Sequence, residues 1–245
     1  MRKIVLLMAA CCLCFGSLFA QNAADKLGAD ADAAIKAKNY AVAFTKYTQY
    51  LQQTTTPDAN RVFNCGYAAF QAKKYAEAIK YLDMSIQNKK NVENCYVYKA
   101  VCLKALNKTA DLKEAVTDGL AAFPKNANLQ KLFYGFTMND GLSAQKAGKF
   151  EDAEAAFKKC VDLTDVKQKA TALSCLGILN SNQGAKILNA AAPLAQSDQT
   201  KYAAEKKKAT EYFTTAKDFL TKALAIDPAN ADAKKALTNV TAALK

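Results

Sequence analysis

Two carboxylate pairs are the first residues to weigh as catalysts: Glu151 with Asp152, and Asp111 with Glu114. A pair divides into general acid and general base only when its surroundings push the two pKa values apart. Here both pairs fall in the first turn of an amphipathic helix, where negative charge complements the helix dipole. The 245-residue chain holds no histidine, which excludes imidazole-activated nucleophiles, imidazole metal ligands and imidazole proton shuttles together. After residue 20 there is no glycine-rich phosphate loop, nucleophile elbow or metal-ligand spacing. No catalytic residue, metal or cofactor is expected, and the chain reads as a non-enzymatic protein.

Lys206-Lys207-Lys208, following Glu205, form the densest basic cluster. They could touch an anionic lipid headgroup or an acidic polymer, or simply be the solvated face of a helix. No nucleic-acid recognition motif accompanies them, so nucleic acid is not an expected partner. Five cysteines lie beyond residue 20: Cys65, Cys95, Cys102, Cys160 and Cys175. The count is odd, so at least one thiol stays free or pairs between chains. Cys95 and Cys102 stand seven apart on one helix, a rise of about 10 Å and beyond disulfide reach. Cys160 with Cys175 is the one pairing that would join a helix to the next. Most of the five fall on apolar faces, where a thiol behaves as a small hydrophobe.

These side chains are positioned by helices. Hydrophobic residues make up 51 % and charged residues 23 % of the chain, a globular balance. Only 9 Gly and 4 Pro occur, too few for the turns of an all-β sandwich or barrel. One aromatic-led helical pattern recurs, starting at Tyr40, Tyr75, Thr109, Phe150 and Phe213. Three residues on stand Ala43, Ala78, Leu112, Ala153 and Ala216; four further on stand Tyr47, Leu82, Val116, Phe157 and Leu220. A third contact follows as a pair: Tyr50-Leu51, Ser85-Ile86, Gly119-Leu120, Cys160-Val161 and Ala223-Leu224. Steps of three and four place all of these on one helical face.

Nine residues before the first four starts lie Ala31, Gly66, Ala100 and Gly141, small residues that let a preceding helix approach closely. Short polar turns separate the two helices of each pair, as at Lys38-Asn39 and Lys73-Lys74. The unit is a helix-turn-helix hairpin. Successive starts lie 35, 34, 41 and 63 residues apart, and the first two steps sit at the period of about 34 residues of one repeat class. The step of 41 places about two additional helical turns before Gly148. The step of 63 places about four additional turns in each arm of the last pair, with a bend at Pro193. A final amphipathic stretch, Asn230 to Leu244, is expected to cap the array.

Gly66, Lys74-Tyr75-Ala76-Glu77-Ala78-Ile79-Lys80-Tyr81-Leu82, and Phe150-Glu151-Asp152-Ala153 with Phe157, resemble the tetratricopeptide repeat. The expected fold is an all-α solenoid of about five hairpins, at approximately 22–56, 58–91, 92–126, 127–166 and 168–228. It carries an extended helical hairpin in the last repeat and a cap at 229–245. The resemblance implies a right-handed superhelix whose first helices line a concave groove that binds peptides or protein segments. Stepping through the first helices, the residues left for that groove are Asn60, Phe63, Tyr67 and Phe70, then Asn94, Val97, Val101 and Lys104, then Met138 and Leu142. This face is apolar and aromatic, suited to an apolar peptide or helix. Where members of the family that clamp a C-terminal carboxylate carry Lys and Asn, this chain has Gly28 and Asp32.

Arg2 and Lys3 precede an apolar run from Ile4 to Phe15, then Gly16-Ser17-Leu18-Phe19-Ala20, the layout of an export signal cut after Ala20. Lipidation at Cys11, after Met8-Ala9-Ala10, is the alternative. Removing Arg2 and Lys3 leaves 32 basic against 22 acidic residues. The expected protein is a periplasmic or secreted scaffold for a protein or peptide partner, with peripheral contact to anionic envelope lipid or polymer as the second reading. The polypeptide recovered from its native host should begin at Gln21 by intact mass; a lipid-modified Cys11 at the first position would establish the anchored alternative.

Overall fold

The computed structural model describes residues 22–245; the expected export signal at 1–20 and the alternative lipidation at Cys11 lie outside the described residues. Every regular element among the described residues is an α-helix. In chain order these are α1 (22–36), α2 (Tyr40–Gln53), α3 (Ala59–Gln71), α4 (Tyr75–Gln87), α5 (Val92–Ala105), α6 (Thr109–Ala122), α7 (Ala127–Lys146), α8 (Phe150–Val161), α9 (Val166–Ala191), α10 (Leu194–Ser197), α11 (Gln199–Ile226) and α12 (Ala231–Ala243). The chain divides into two units after Leu129.

Helices α2, α4, α6 and α8 begin at Tyr40, Tyr75, Thr109 and Phe150, the residues at which the aromatic-led pattern restarts. Ala43 with Tyr47, Ala78 with Leu82, and Ala153 with Phe157 are fully buried. In each terminal pair the first member (Tyr50, Ser85, Gly119, Cys160, Ala223) is buried and the second is half-buried, as expected of a stripe one residue wide at its edge. Helix α6 departs slightly: Leu112, where the other second helices carry alanine, is half-buried, and Ala115 takes the buried place.

The helices of a pair are held close by small residues set against bulky ones. A Cβ added at Gly66 would lie 3.1 Å from Leu82, and one at Gly141 would lie 2.5 Å from the Phe157 ring. One at Gly177 would overlap Leu220. In the first unit the resulting core joins Tyr47, Leu82, Cys65, Cys95 and Cys102. In the second unit Met138, Phe157, Cys160 and Leu176 form one cluster, and Phe213, Leu220, Ala233 and Val240 form another. Each Leu or Phe removed from water here contributes roughly 1.5–3 kcal/mol.

The turn inside each of the first four hairpins has one geometry. Lys38, Lys73, Asn107 and Gly148 adopt φ of 58°, 59°, 56° and 73°. The Lys73 N–H donates to the Phe70 carbonyl (3.0 Å) and the Lys74 N–H to the Ala69 carbonyl (2.9 Å), and the other three turns repeat this pair of bonds. This is the Schellman ending, which satisfies the last carbonyls of the helix by placing one residue in the left-handed region. Three of the four turns place a residue with a Cβ where glycine is the unstrained choice.

The two irregular steps are absorbed by helix length. Helix α7 has 20 residues against 13 and 14 in α3 and α5, the added two turns. Helices α9 and α11 have 26 and 28 residues, and they pack along each other. Pro193 and the short α10 make the bend between them. Phe150 meets Tyr212 edge to face at 5.4 Å, so the lengthened arm is tied to the start of α8. Helix α12 packs against both α9 and α11 and closes the array through Ala233 and Val240.

Replacing Lys73 by glycine should raise stability by about 0.5–1 kcal/mol, because relief of left-handed strain exceeds the added freedom of the unfolded chain. Gly148→Ala should lower stability by about 1 kcal/mol for the opposite reason. Denaturant midpoints of the two variants check both signs.

Candidate partner-binding faces

In the first unit, α3 turns Phe63, Tyr67 and Phe70 to one side at half burial, with Asn60 exposed at its start. The N-terminus that aims this face is fixed by Asp58, whose carboxylate accepts from the N–H of Asn60 (2.8 Å) and Arg61 (3.0 Å). The three rings do not stand free. Phe63 stacks on Tyr67 (6.3 Å, 14° between planes), and Tyr98 of α5 packs against Tyr67 (5.4 Å) and Phe70 (4.9 Å, 27°). Tyr40, opening α2, meets Tyr67 edge to face at 5.9 Å. The Gln71 amide donates to the Tyr67 hydroxyl (2.8 Å). Burial holds the Tyr98 hydroxyl above its ordinary pKa, with Tyr67 and Cys95 adding to the effect.

Along α5, Asn94 and Lys104 are exposed, Val97 is half-buried and Val101 is 38 % exposed. The next residue after Tyr98 turns away: Lys99 pairs with Asp83 at 2.7 Å. The face of the first unit is thus a mat of mutually packed rings with an open apolar and amide margin. Tyr98 of α5 and Tyr40 at the start of α2 complete it; the stepping along α5 took Val97 and passed over its neighbour Tyr98, while Tyr40 entered the sequence reading only as a repeat start. Tyr98 stands four after Asn94 and three before Val101, so the same helical spacing admitted it.

In the second unit the two expected residues part company. Leu142 is 50 % exposed, but Met138 is 7 % exposed and packs with Phe157, Leu176 and Leu179. Met138 is therefore corrected from a groove residue to a core residue: α9 of the following hairpin covers it. Lys206, Lys207 and Lys208 are exposed on α11. Lys208 donates to Glu205 at 2.6 Å, and that hydrogen bond raises its pKa.

Asp32 and Gly28 are engaged within the first unit. Asp32 accepts from Arg61 (3.1 and 3.2 Å) and from the buried Tyr47 hydroxyl (2.7 Å), and Gly28 leaves the space that the Arg61 guanidinium fills. Among the described residues no group of three or more His, Cys, Asp or Glu could hold a metal ion, and no helix is long and apolar enough to cross a membrane.

A crystal structure of a TPR repeats protein from Bacteroides fragilis shares 37 % sequence identity, covers 89 % of this chain and 98 % of its own, and superposes with a TM-score of 0.74. This chain belongs to the tetratricopeptide repeat family. A tetratricopeptide repeat protein from Parabacteroides merdae covers 90 % of this chain and 99 % of its own at 14 % identity and a TM-score of 0.43. No family model matches the sequence, and no curated protein matches it. In tetratricopeptide terms α1, α3, α5, α7 and α9 are first helices, and the second helices are α2, α4, α6, α8 and the latter part of α11.

The tetratricopeptide core also explains the cysteines. All five are free thiols; Cys65, Cys95, Cys102 and Cys160 are buried, and Cys175 is half-buried. Burial pushes Cys102 up to about 12 and Cys160 up to about 11, the latter helped by Cys175. At pH 8 the folded protein then carries thiolate at Cys160 at a fraction on the order of 10⁻³. A disulfide reagent at that pH should label the native protein slowly, Cys175 first, and all five thiols within minutes in guanidinium. Peptide mass mapping of the first label checks the order.

Proposed function

We propose that this protein is an exported, non-enzymatic protein-protein interaction scaffold that takes a partner peptide or helix against the aromatic face of its first unit. The observation that carries the reading is the ring mat itself. Phe63, Tyr67, Phe70 and Tyr98 are all half-buried yet already ordered against one another. Rings held in place before binding lose little side-chain entropy when a partner covers them, and aromatic anchors dominate recognition surfaces. Asn60 and Asn94 stand exposed beside them, each with a donor and an acceptor for a partner's polar groups. A partner helix would set apolar side chains three and four apart into this surface. Periplasmic or secreted location rests on the leader at 1–20.

The second reading, contact with anionic envelope lipid or polymer through Lys206, Lys207 and Lys208, rests on exposure and net charge. The Glu205 pairing of Lys208 reduces the charge that this cluster offers.

Val101→Glu tests the first reading without disturbing the core, because Val101 is an exposed surface residue. Partners cross-linked to the wild-type protein in the native envelope fraction should be recovered about tenfold less with this variant, at unchanged melting temperature and with little dependence on moderate salt. Binding that ignores Val101→Glu but collapses as ionic strength rises would favour the lipid or polymer reading instead.

A further inference from the structure

The turns inside the hairpins of the first unit place lysine where local structure disfavours it. Lys38 and Lys73 hold the left-handed position, with φ of 58° and 59°, where glycine or asparagine is the unstrained choice. Lys74 and Lys108 are the N-cap residues of α4 and α6 and make no side-chain cap bond. Ser, Thr, Asp or Asn would cap there, and a cation opposes the positive end of the helix dipole. All four lysines are exposed. Choices that conflict with local preference collect where a side chain is needed for something other than stability. The turns form one edge. Lys74 Nζ stands 5.0 Å from the centre of the Phe44 ring, near the start of α2, and Lys108 shares a depression with Ile79, near the start of α4. Each turn thus rests against the second helix of the hairpin before it. Two large apolar side chains stay in water along this edge: Val42 in the first turn of α2, 44 % exposed, and Leu106 at the end of α5, 37 % exposed. Opposing charge is sparse. The first turn of α2 has no acidic residue, that of α4 has Glu77 and that of α6 has Asp111. Asp111 is 3.8 Å from Lys108, an exposed pair that binds the ammonium weakly. Lys36 and Lys104 add charge in the last turns of α1 and α5, where the helix dipole alone accounts for them.

We propose that this edge is a peripheral contact for an anionic lipid bilayer. Lysines held close to a negatively charged leaflet attract it additively, one increment per residue. Val42 and Leu106 supply what charge alone does not: apolar side chains between the lysines, which enter the boundary between headgroup and acyl chain. A soluble polyanion would use the same lysines but gains nothing from an exposed valine and leucine, so the mixture selects the bilayer. Lysine is also the side chain whose long apolar stem lies along such a boundary while its ammonium stays with the phosphates, which glycine or asparagine in the same turns could not do. The contact is made by the ends of the helices, so their sides stay open, the aromatic face of α3 and α5 included. The proposal does not depend on a partner binding that face, and it assigns the lipid contact to residues other than Lys206, Lys207 and Lys208.

The test is co-sedimentation of the protein beginning at Gln21 with phosphatidylcholine vesicles carrying about one-third phosphatidylglycerol, against vesicles of phosphatidylcholine alone, in about 0.1 M salt. The anionic vesicles should bind at least about tenfold more tightly. Lys73→Gly, which is expected to be the more stable protein, should bind them about fivefold more weakly, and Lys38→Gly with Lys73→Gly roughly 25-fold more weakly. Loss of binding in a stabilised variant cannot come from unfolding. Val42→Ser and Leu106→Ser together should weaken binding at least about threefold at unchanged charge. Val101→Glu, and the triple change of Lys206, Lys207 and Lys208 to Gln, should each leave binding within about twofold. The proposal is overturned if the two vesicle types bind equally, or if the double glycine variant binds as the wild type does. Binding that survives the two serine changes reports charge without insertion and also overturns it, as does binding abolished by the triple change on α11. Failure here leaves the aromatic face standing, because partner loss on Val101→Glu is read separately.

Discussion

The close approach of two helices at a small residue is the constraint on which the rest of the molecule depends. Gly66 against Leu82, Gly141 against Phe157, and Gly177 against Leu220 are contacts in which no Cβ can be added without moving a large side chain. Interiors packed to this density transmit volume changes rather than absorb them. Once that contact is fixed, the phase of both helices in the hairpin is fixed, and with it the identity of the residues buried between those two helices. The burial of Ala78 and Leu82, or of Ala153 and Phe157, follows from the crossing and from 3.6 residues per turn.

The same constraint leaves helix length free. A helix can be extended by whole turns beyond the crossing and keep its apolar stripe in register. Helix α7 has used about two such turns, and α9 and α11 about four each. Extension has a structural consequence in the second unit. The added arms need packing partners of their own, which Phe150 supplies by meeting Tyr212, and they bring Asn182, Gln183 and Lys186 beside the turn that follows α7. A tetratricopeptide hairpin of ordinary length has no such arm. The two units therefore expose different surfaces while sharing one packing rule: hairpins of near-equal length in the first bring their turns together along one edge, and the second lengthens its last hairpin instead.

Much of the fold was legible because the repeat is a local pattern with a strong period. The starts at Tyr40, Tyr75, Thr109 and Phe150, the long α7, the extended hairpin bent at Pro193 and the final capping helix can each be read from spacing. The binding faces were less legible. Met138 occupies the same sequence phase as Phe63 and Val97, yet it is core, because the helix that covers it comes from the next hairpin. Tyr98 was overlooked although it falls on an allowed step, since periodicity cannot choose between neighbours on a broad stripe. Lys38 and Lys73 read in the sequence only as members of polar turns, because the left-handed backbone that makes a lysine costly there is visible only in the folded turn.

The sequence alone determined which residues face inward within each hairpin, because that depends on the 3.6-residue turn and on small residues set opposite large ones. It determined the absence of imidazole chemistry, and it determined the helix lengths through the spacing of its repeat starts. Tertiary structure decided which outward residues remain open, because burial between successive hairpins depends on a partner helix tens of residues away. That is why Phe63, Tyr67 and Phe70 meet Tyr98, why Met138 is covered, and why Lys74 lies over Phe44 of the preceding hairpin.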